Sequence, residues 1–359
     1  MLPGMADHPV LFLPGPTEVD AELRAILAEP LCGHRETKFV AAVQEVCQGL
    51  RRLYLTNQHA AFETGPATAL MEAAIRNFTA PAARTLHLAA GAFGERWQKI
   101  AASCGRQAEL LAVPMGQAHA PEALRTRLLA GPPVAAVAIT HNETSTGVLE
   151  PLRELAAVVH QNAPGALLLV DAVTSVGGAE LRFDDWGLDF AFAGTQKCLA
   201  LPPGLCTYAV SKRALLRAAT TPDRGFLLDL PSAVPETEAG RTLATPCVPL
   251  VWALRRQLER VAAEGLPARW ARHAAMRSSV LAWAAARGMA PFVAEPTHRS
   301  PTVSCLDARG QDVAALVARA AAAGFAIDPG YGTLKGKAFR IGHMGDHRPE
   351  TVQQLLAAL

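Results

Sequence analysis

Two stretches decide how this chain folds: A-L-L-L-V-D-A-V-T-S-V-G-G (166–178) and F-A-F-A-G-T-Q-K-C-L-A-L-P-P-G (190–204). In the first, an unbroken apolar run ends on Asp171. In the second, another such run ends on Gly194-Thr195-Gln196-Lys197. Runs that stay apolar without alternating are the pattern of strands buried on both faces, which predicts a mostly parallel sheet covered by helices. Further strand patterns lie at 85–89, 134–140 and 205–210. Between them come helical patterns, such as 38–53 with Val40, Val43, Cys47 and Leu50 on one face, and the segment after Pro151 with Leu152, Leu155, Ala156 and Val159. Strand–helix–strand alternation of this kind is the signature of an α/β protein.

One connection departs from the rule. Only residues 194–204 separate two of these strands, and Pro202-Pro203 lie among them. Paired prolines forbid the helical crossover that a parallel neighbour needs, so the strand at 205–210 is predicted to run antiparallel. From residue 249 onward the pattern changes to two long helices, short strands near 302–306 and 339–342, and a helix near 312–323. That reads as a smaller α+β unit, giving an N-terminal arm (1–20), a large domain (21–248) and a small C-terminal domain (249–359).

Composition narrows the function classes. Of 359 residues half are hydrophobic and 18% are charged, with a net charge of +2. This is a globular composition with no basic face for nucleic acid. The seven cysteines are scattered without a CxxC pair, which predicts reduced thiols and no structural zinc. The first residues carry no positive n-region, and no apolar run of about 18 residues occurs, so a soluble cytoplasmic protein is expected. His343 and His347 flank Met344 and Asp346, but no further ligand cluster accompanies them, and no metal is expected.

Three pieces carry chemistry. Asp171 sits at the carboxyl end of a strand, where open α/β sheets bind ligands; alone it could equally be a loop-capping acid. Lys197 lies among Cys198, Leu199, Ala200 and Leu201, where desolvation favours a neutral, nucleophilic amine; alone it could be a surface lysine. Thr64-Gly65-Pro66-Ala67-Thr68 opens a helical pattern over 69–78. With Pro66 at the first helical position, the N–H groups of Ala67 and Thr68 point outward as an anion site. Together these are the parts needed for pyridoxal 5′-phosphate: a helix start for the phosphate, an acid for the ring nitrogen, and a lysine for the Schiff base.

At this point the chain resembles the class V aminotransferases of pyridoxal-phosphate fold type I, near the alanine–glyoxylate and serine–pyruvate aminotransferases. The resemblance rests on LPGPTEV (13–19), TGPATALMEAA (64–74), GAFGERW (91–97), THNETSTGVLEPL (140–152), LLLVDAVTSVGG (167–178), GTQKCLALPPGL (194–205), ATPCVPL (244–250) and FRIGHMGD (339–346). It implies a mostly parallel seven-stranded sheet flanked by helices, and a homodimer with sites at the interface. It also implies transfer of an amino group from a small amino acid, alanine- or serine-like, to a 2-oxo acid such as glyoxylate or pyruvate.

By the same resemblance Phe93 would stack on the cofactor ring and Val173 would pack beneath it. Thr144 would donate to the ring hydroxyl, and Gln196 would join Pro66, Ala67 and Thr68 at the phosphate. Thr245 would reach the partner's phosphate, and Arg340, with Gly15 nearby, would bind the substrate α-carboxylate. Read from the residues alone, Arg340 could instead form an internal salt bridge with Asp346 or another acid. Gly33-His34-Arg35 could read an acidic substrate group or be a solvated loop. Pro66 and Ala67 stand where relatives usually carry Ser and Gly, and Thr242 where some carry Tyr. The rival readings are a lyase or C–S-cleaving enzyme on the same scaffold, and a non-catalytic binding protein.

Overall fold

A computed structural model describes residues 8–359; residues 1–7 of the expected N-terminal arm lie outside the described residues. Its centre is a seven-stranded sheet. In chain order the strands are β1 (His59–Thr64), β2 (Arg84–Ala89), β3 (Gln107–Ala112), β4 (Ala136–Thr140), β5 (Leu167–Asp171), β6 (Phe190–Gly194) and β7 (Leu205–Val210). Their order across the sheet is β1-β7-β6-β5-β4-β2-β3. Strands β3, β2, β4, β5 and β6 pair in parallel. Strand β7 runs antiparallel to both β6 and β1, as the proline-blocked connection predicts.

All residues of β4 to β7 are buried, because helices cover both faces. The consequence for function is geometric: the carboxyl ends of β1, β2, β4, β5 and β6 all emerge on one edge of the sheet.

Two strands escape the sequence patterns. Strand β1, HAAFET, carries no Val, Ile or Leu and is buried against β7 and beneath helices Thr37–Tyr54 and Leu230–Glu238. Edge strand β3, QAELLA, is built from good helix formers and lies half-exposed. In both, pairing with a neighbour overrides intrinsic preference. Helix Ala67–Phe78 begins one residue later than Pro66 suggested. Pro66 has φ −77° and ψ 151°, so it is the N-cap and not the first helical residue.

Helix Ala92–Ser103 presses directly on the end of β2. A Cβ on Gly94 would lie 2.6 Å from the Leu88 carbonyl oxygen and 2.7 Å from Ala89 Cα. Only glycine allows that approach.

A second core gathers Met276, Val280, Leu306, Phe339, Ile341, Val352 and Leu355. It lies between helices Leu266–Ala285 and Pro349–Ala358 and the antiparallel pair Val303–Asp307 and Ala338–Gly342. Helix Val248–Glu264 packs on helix Thr37–Tyr54, and its apolar residues belong to the first core. Among the described residues, no helix is long and apolar enough to cross a membrane.

One buried cation ties the C-terminal helices to the sheet edge. Arg269, 2% exposed, donates from Nε to the Gly177 carbonyl at 3.1 Å and from Nη2 to the Cys198 carbonyl at 2.8 Å. It also pairs with Glu264 and Asp346. Removing one partner from a buried charge network leaves the others uncompensated. Arg269→Met should therefore lower the unfolding free energy by about 3–5 kcal/mol, read from urea denaturation. An unfolding midpoint equal to the parent's would contradict this.

Candidate active site

The loops leaving the strand ends enclose a cleft of about 200 Å3. Pro66, Ala67, Thr68, Phe93, Thr144, Asp171, Val173, Gln196 and Lys197 all line it. Asp171 ends β5 and Lys197 follows β6, so adjacent parallel strands deliver both groups to one space.

Asp171 and Lys197 share no hydrogen bond, yet each lies in the other's electrostatic field. Burial pushes the Asp171 carboxyl up to about 7, opposed chiefly by the Val173 N–H, which donates to Oδ1 at 2.9 Å. Burial also brings the Lys197 amine down to about 8, reinforced by the nearby Arg340 guanidinium. Both groups are thus drawn toward their neutral forms by desolvation. Lys197 Nζ donates to the Pro14 carbonyl in the strap formed by residues 13–17. A Cβ on Gly15, where φ is +112°, would collide with the lysine amine and its last two methylenes. Glycine is required there for both reasons.

Phe93 stands in the first turn of helix Ala92–Ser103, and a buried acid that the sequence reading passed over fixes that turn. Glu143 Oε2 accepts the N–H groups of Phe93 at 2.9 Å and Gly94 at 3.3 Å. Its Oε1 accepts from the N–H and hydroxyl of Ser145 at 3.0 and 2.5 Å. Burial raises the Glu143 carboxyl, while the bonds from Ser145, Phe93 and Gly94 oppose the rise. The available signal was an acid inside THNETSTG, with Ser145 two residues on as a local partner.

Asn142, Thr174, Thr140, Met71 and Arg96 also line the cleft without having been singled out. Asn142 Nδ2 donates to the Thr174 carbonyl at 2.9 Å and to the Thr302 hydroxyl at 2.8 Å, joining the cleft wall to the second core's sheet.

Arg340 is buried and reaches across from strand Ala338–Gly342. Its Nε donates to Asp328 Oδ1 at 2.9 Å and its Nη1 to the Thr144 carbonyl at 2.8 Å. The internal salt bridge is therefore made with Asp328. Asp346 is taken instead by Arg260, Arg269 and Gln257. Arg35 and Thr245 do not join Lys197 within this chain. They line a separate cavity of about 450 Å3 with His34, Glu236, Arg241 and Thr242. Of the two C-terminal histidines, His343 meets the Ser304 hydroxyl at 2.9 Å, and His347 stacks on Phe12 with ring centroids 4.1 Å apart.

The cleft fits a flat, polar, phosphorylated aromatic group. Two of its buried oxygens, Thr140 Oγ1 and Asn142 Oδ1, have no partner among the described residues, and unpartnered buried polar atoms call for a ligand or water. The residues able to hold such a group are the amine Lys197, the acid Asp171, the faces of Phe93 and Val173, and the helix start at Ala67–Thr68 with Gln196 beside it.

The Lys197 shift has a measurable consequence. Pyridoxal added to cofactor-free protein and fixed with borohydride should label Lys197. The yield should rise with pH about a midpoint near 8, because only the neutral amine attacks the aldehyde. A midpoint near 10.5, the ordinary lysine value, would refute the buried placement.

Comparison with known proteins finds relatives that match along almost the whole chain. The family model for aminotransferase class-V matches residues 34–334. The chain is 34% identical over 350 residues to a protein of a Synechococcus species described as the small subunit of a soluble hydrogenase, covering 95% of this chain and 89% of that one. It is 31% identical over 348 residues to the L-aspartate–glyoxylate aminotransferase of Paracoccus denitrificans, covering 95% and 87%. The crystal structure of an alanine–glyoxylate aminotransferase from a Nostoc species superposes with a TM-score of 0.93 at 30% identity, covering 100% of this chain and 96% of that chain.

Proposed function

The chain belongs to the class V aminotransferase family, and from that premise we propose that it is a pyridoxal 5′-phosphate-dependent transaminase. It moves an amino group from a small amino acid such as alanine or serine to a 2-oxo acid such as glyoxylate or pyruvate. The observation that carries this reading is the pair Lys197 and Asp171. They line one cleft without touching, and burial draws both toward neutrality.

The cofactor, when bound, supplies an electron sink next to the substrate Cα. Everything else is the work of the chain. Lys197, with an amine lowered to about 8, holds the cofactor as a nucleophile and afterwards serves as the base that takes the Cα proton. Asp171 faces a ring N–H, and a positive charge there returns its carboxyl to the ionised form. Phe93 and Val173 cover the two faces of the ring. The N–H groups at Ala67 and Thr68, the Thr68 hydroxyl and Gln196 take the phosphate. Thr144 serves the ring hydroxyl.

Arg340 spends Nε on Asp328 and Nη1 on Thr144, and offers Nη2 to the α-carboxylate. Gly15 leaves room for the amine beneath the strap. Thr245 and Arg35, which share the second cavity, act on the partner's site in a homodimer, Thr245 at the phosphate and Arg35 at an acidic substrate group. The free cysteines among the described residues suit a reducing cytoplasm. The arm, large domain and small domain divide near residues 20 and 248, with helix Val248–Glu264 packed back on the large core.

Purified protein loaded with cofactor should be yellow, and alanine alone should convert it to the pyridoxamine form without releasing ammonia. Glyoxylate should then restore the colour. Lys197→Ala should slow turnover by about 10²–10⁴-fold, the range for loss of a general base. Ammonia release in place of the pyridoxamine form would favour a lyase, and full activity in Lys197→Ala would end the proposal.

A further inference from the structure

Between the strand residue Arg340 and its partner Asp328 in space, the chain runs out through residues 329–337 and places Tyr331 beside Phe93 and Arg96 of the cleft wall. The Tyr331 ring stacks on Phe93 with centroids 6.0 Å apart and planes inclined by 30°. Its hydroxyl accepts from Arg96 Nη2 at 3.2 Å. The Arg340 guanidinium carbon lies 5.3 Å from its ring centroid. Arg96 itself lies over Phe93 at 4.8 Å and forms no ion pair with a carboxylate among the described residues. One phenol therefore touches the residue that faces the cofactor ring and the residue that reads the α-carboxylate.

The base of this tyrosine is fixed. Asp328 Oδ1 accepts from the Gly330 N–H at 2.8 Å and from Arg340 Nε at 2.9 Å. A Cβ on Gly330 would strike the carbonyl oxygens of Ala338 and Leu334, so the turn is packed against its own strand. Tyr331 thus stands as a wall, held at its foot by Asp328 and at its tip by Arg96.

A substrate whose carboxylate sits on Arg340 and whose amine takes the place of the Lys197 amine would pass beside the Tyr331 ring, which the Arg340 guanidinium carbon approaches to 5.3 Å. We propose that Tyr331 is a specificity-determining residue whose ring limits the amino donor to short side chains. This rests on the transaminase reading above and names the residue that would impose the size limit.

The test uses holoenzyme and a donor series of alanine, 2-aminobutyrate and norvaline, with kcat/KM measured for each. The parent should lose activity steeply along the series, because a rigid wall penalises each added methylene. Tyr331→Ala should raise the norvaline-to-alanine ratio about 10-fold or more, the scale on which one methylene is discriminated in a pocket. Tyr331→Phe, which keeps the ring and loses the Arg96 bond, should keep the parent profile. Tyr331→Trp should depress 2-aminobutyrate relative to alanine, and it provides a narrowing variant should the alanine substitution fail to fold.

A parent that takes norvaline as readily as alanine would overturn the proposal, as would ratios unmoved in both Tyr331→Ala and Tyr331→Trp. Absence of any amino transfer from alanine in the parent would instead defeat the functional reading on which this one stands.

Discussion

An amine and a carboxylic acid are buried at the ends of two neighbouring parallel strands and kept from pairing with each other. Direct contact would satisfy both charges and leave nothing for a ligand. Separation leaves each exposed to desolvation, which lowers Lys197 to about 8 and raises Asp171 to about 7. Among the described residues each side chain has one backbone partner, the Pro14 carbonyl for the lysine and the Val173 N–H for the aspartate. The remaining stabilisation has to come from what binds between them. Around this constraint the rest of the site is arranged.

Its supports include two buried side chains, Glu143 and Arg269, whose hydrogen bonds are made within the protein. Glu143 closes the start of helix Ala92–Ser103 by accepting two of its free N–H groups, which sets where Phe93 points. Gly94 lets that helix sit hard against β2. Arg269 bonds the carbonyl next to Lys197 from a helix more than 70 residues further along the chain. Each contact converts a loop, which would otherwise be adaptable, into a fixed support for a side chain in the cleft.

The C-terminal region contributes differently. It provides Arg340, whose Nη1 bonds the Thr144 carbonyl, and Tyr331, whose hydroxyl accepts from Arg96. Lys197 and Asp171, by contrast, come from the sheet edge.

The sequence by itself determined the features that depend on local pattern. Continuous apolar runs identify β4 to β7 because a strand covered on both faces has no solvent side to mark with polar residues. Their terminal residues then identify Asp171 and Lys197, and the prolines at 202 and 203 identify the antiparallel turn of β7. Only the tertiary structure decided the features that depend on which distant group arrives first. Strands β1 and β3 exist because neighbours pair with them, against their own composition. Arg340 meets Asp328 because an antiparallel bridge sets the two residues opposite each other, while Asp346 is held by Arg260 and Arg269. Arg35 and Thr245 share a second cavity because their loops lie together away from the Lys197 edge. Glu143 acquires its role only when a helix 50 residues earlier presents N–H groups to it. Choice among buried partners is settled by packing and desolvation over the whole chain, and no periodicity within a segment records it.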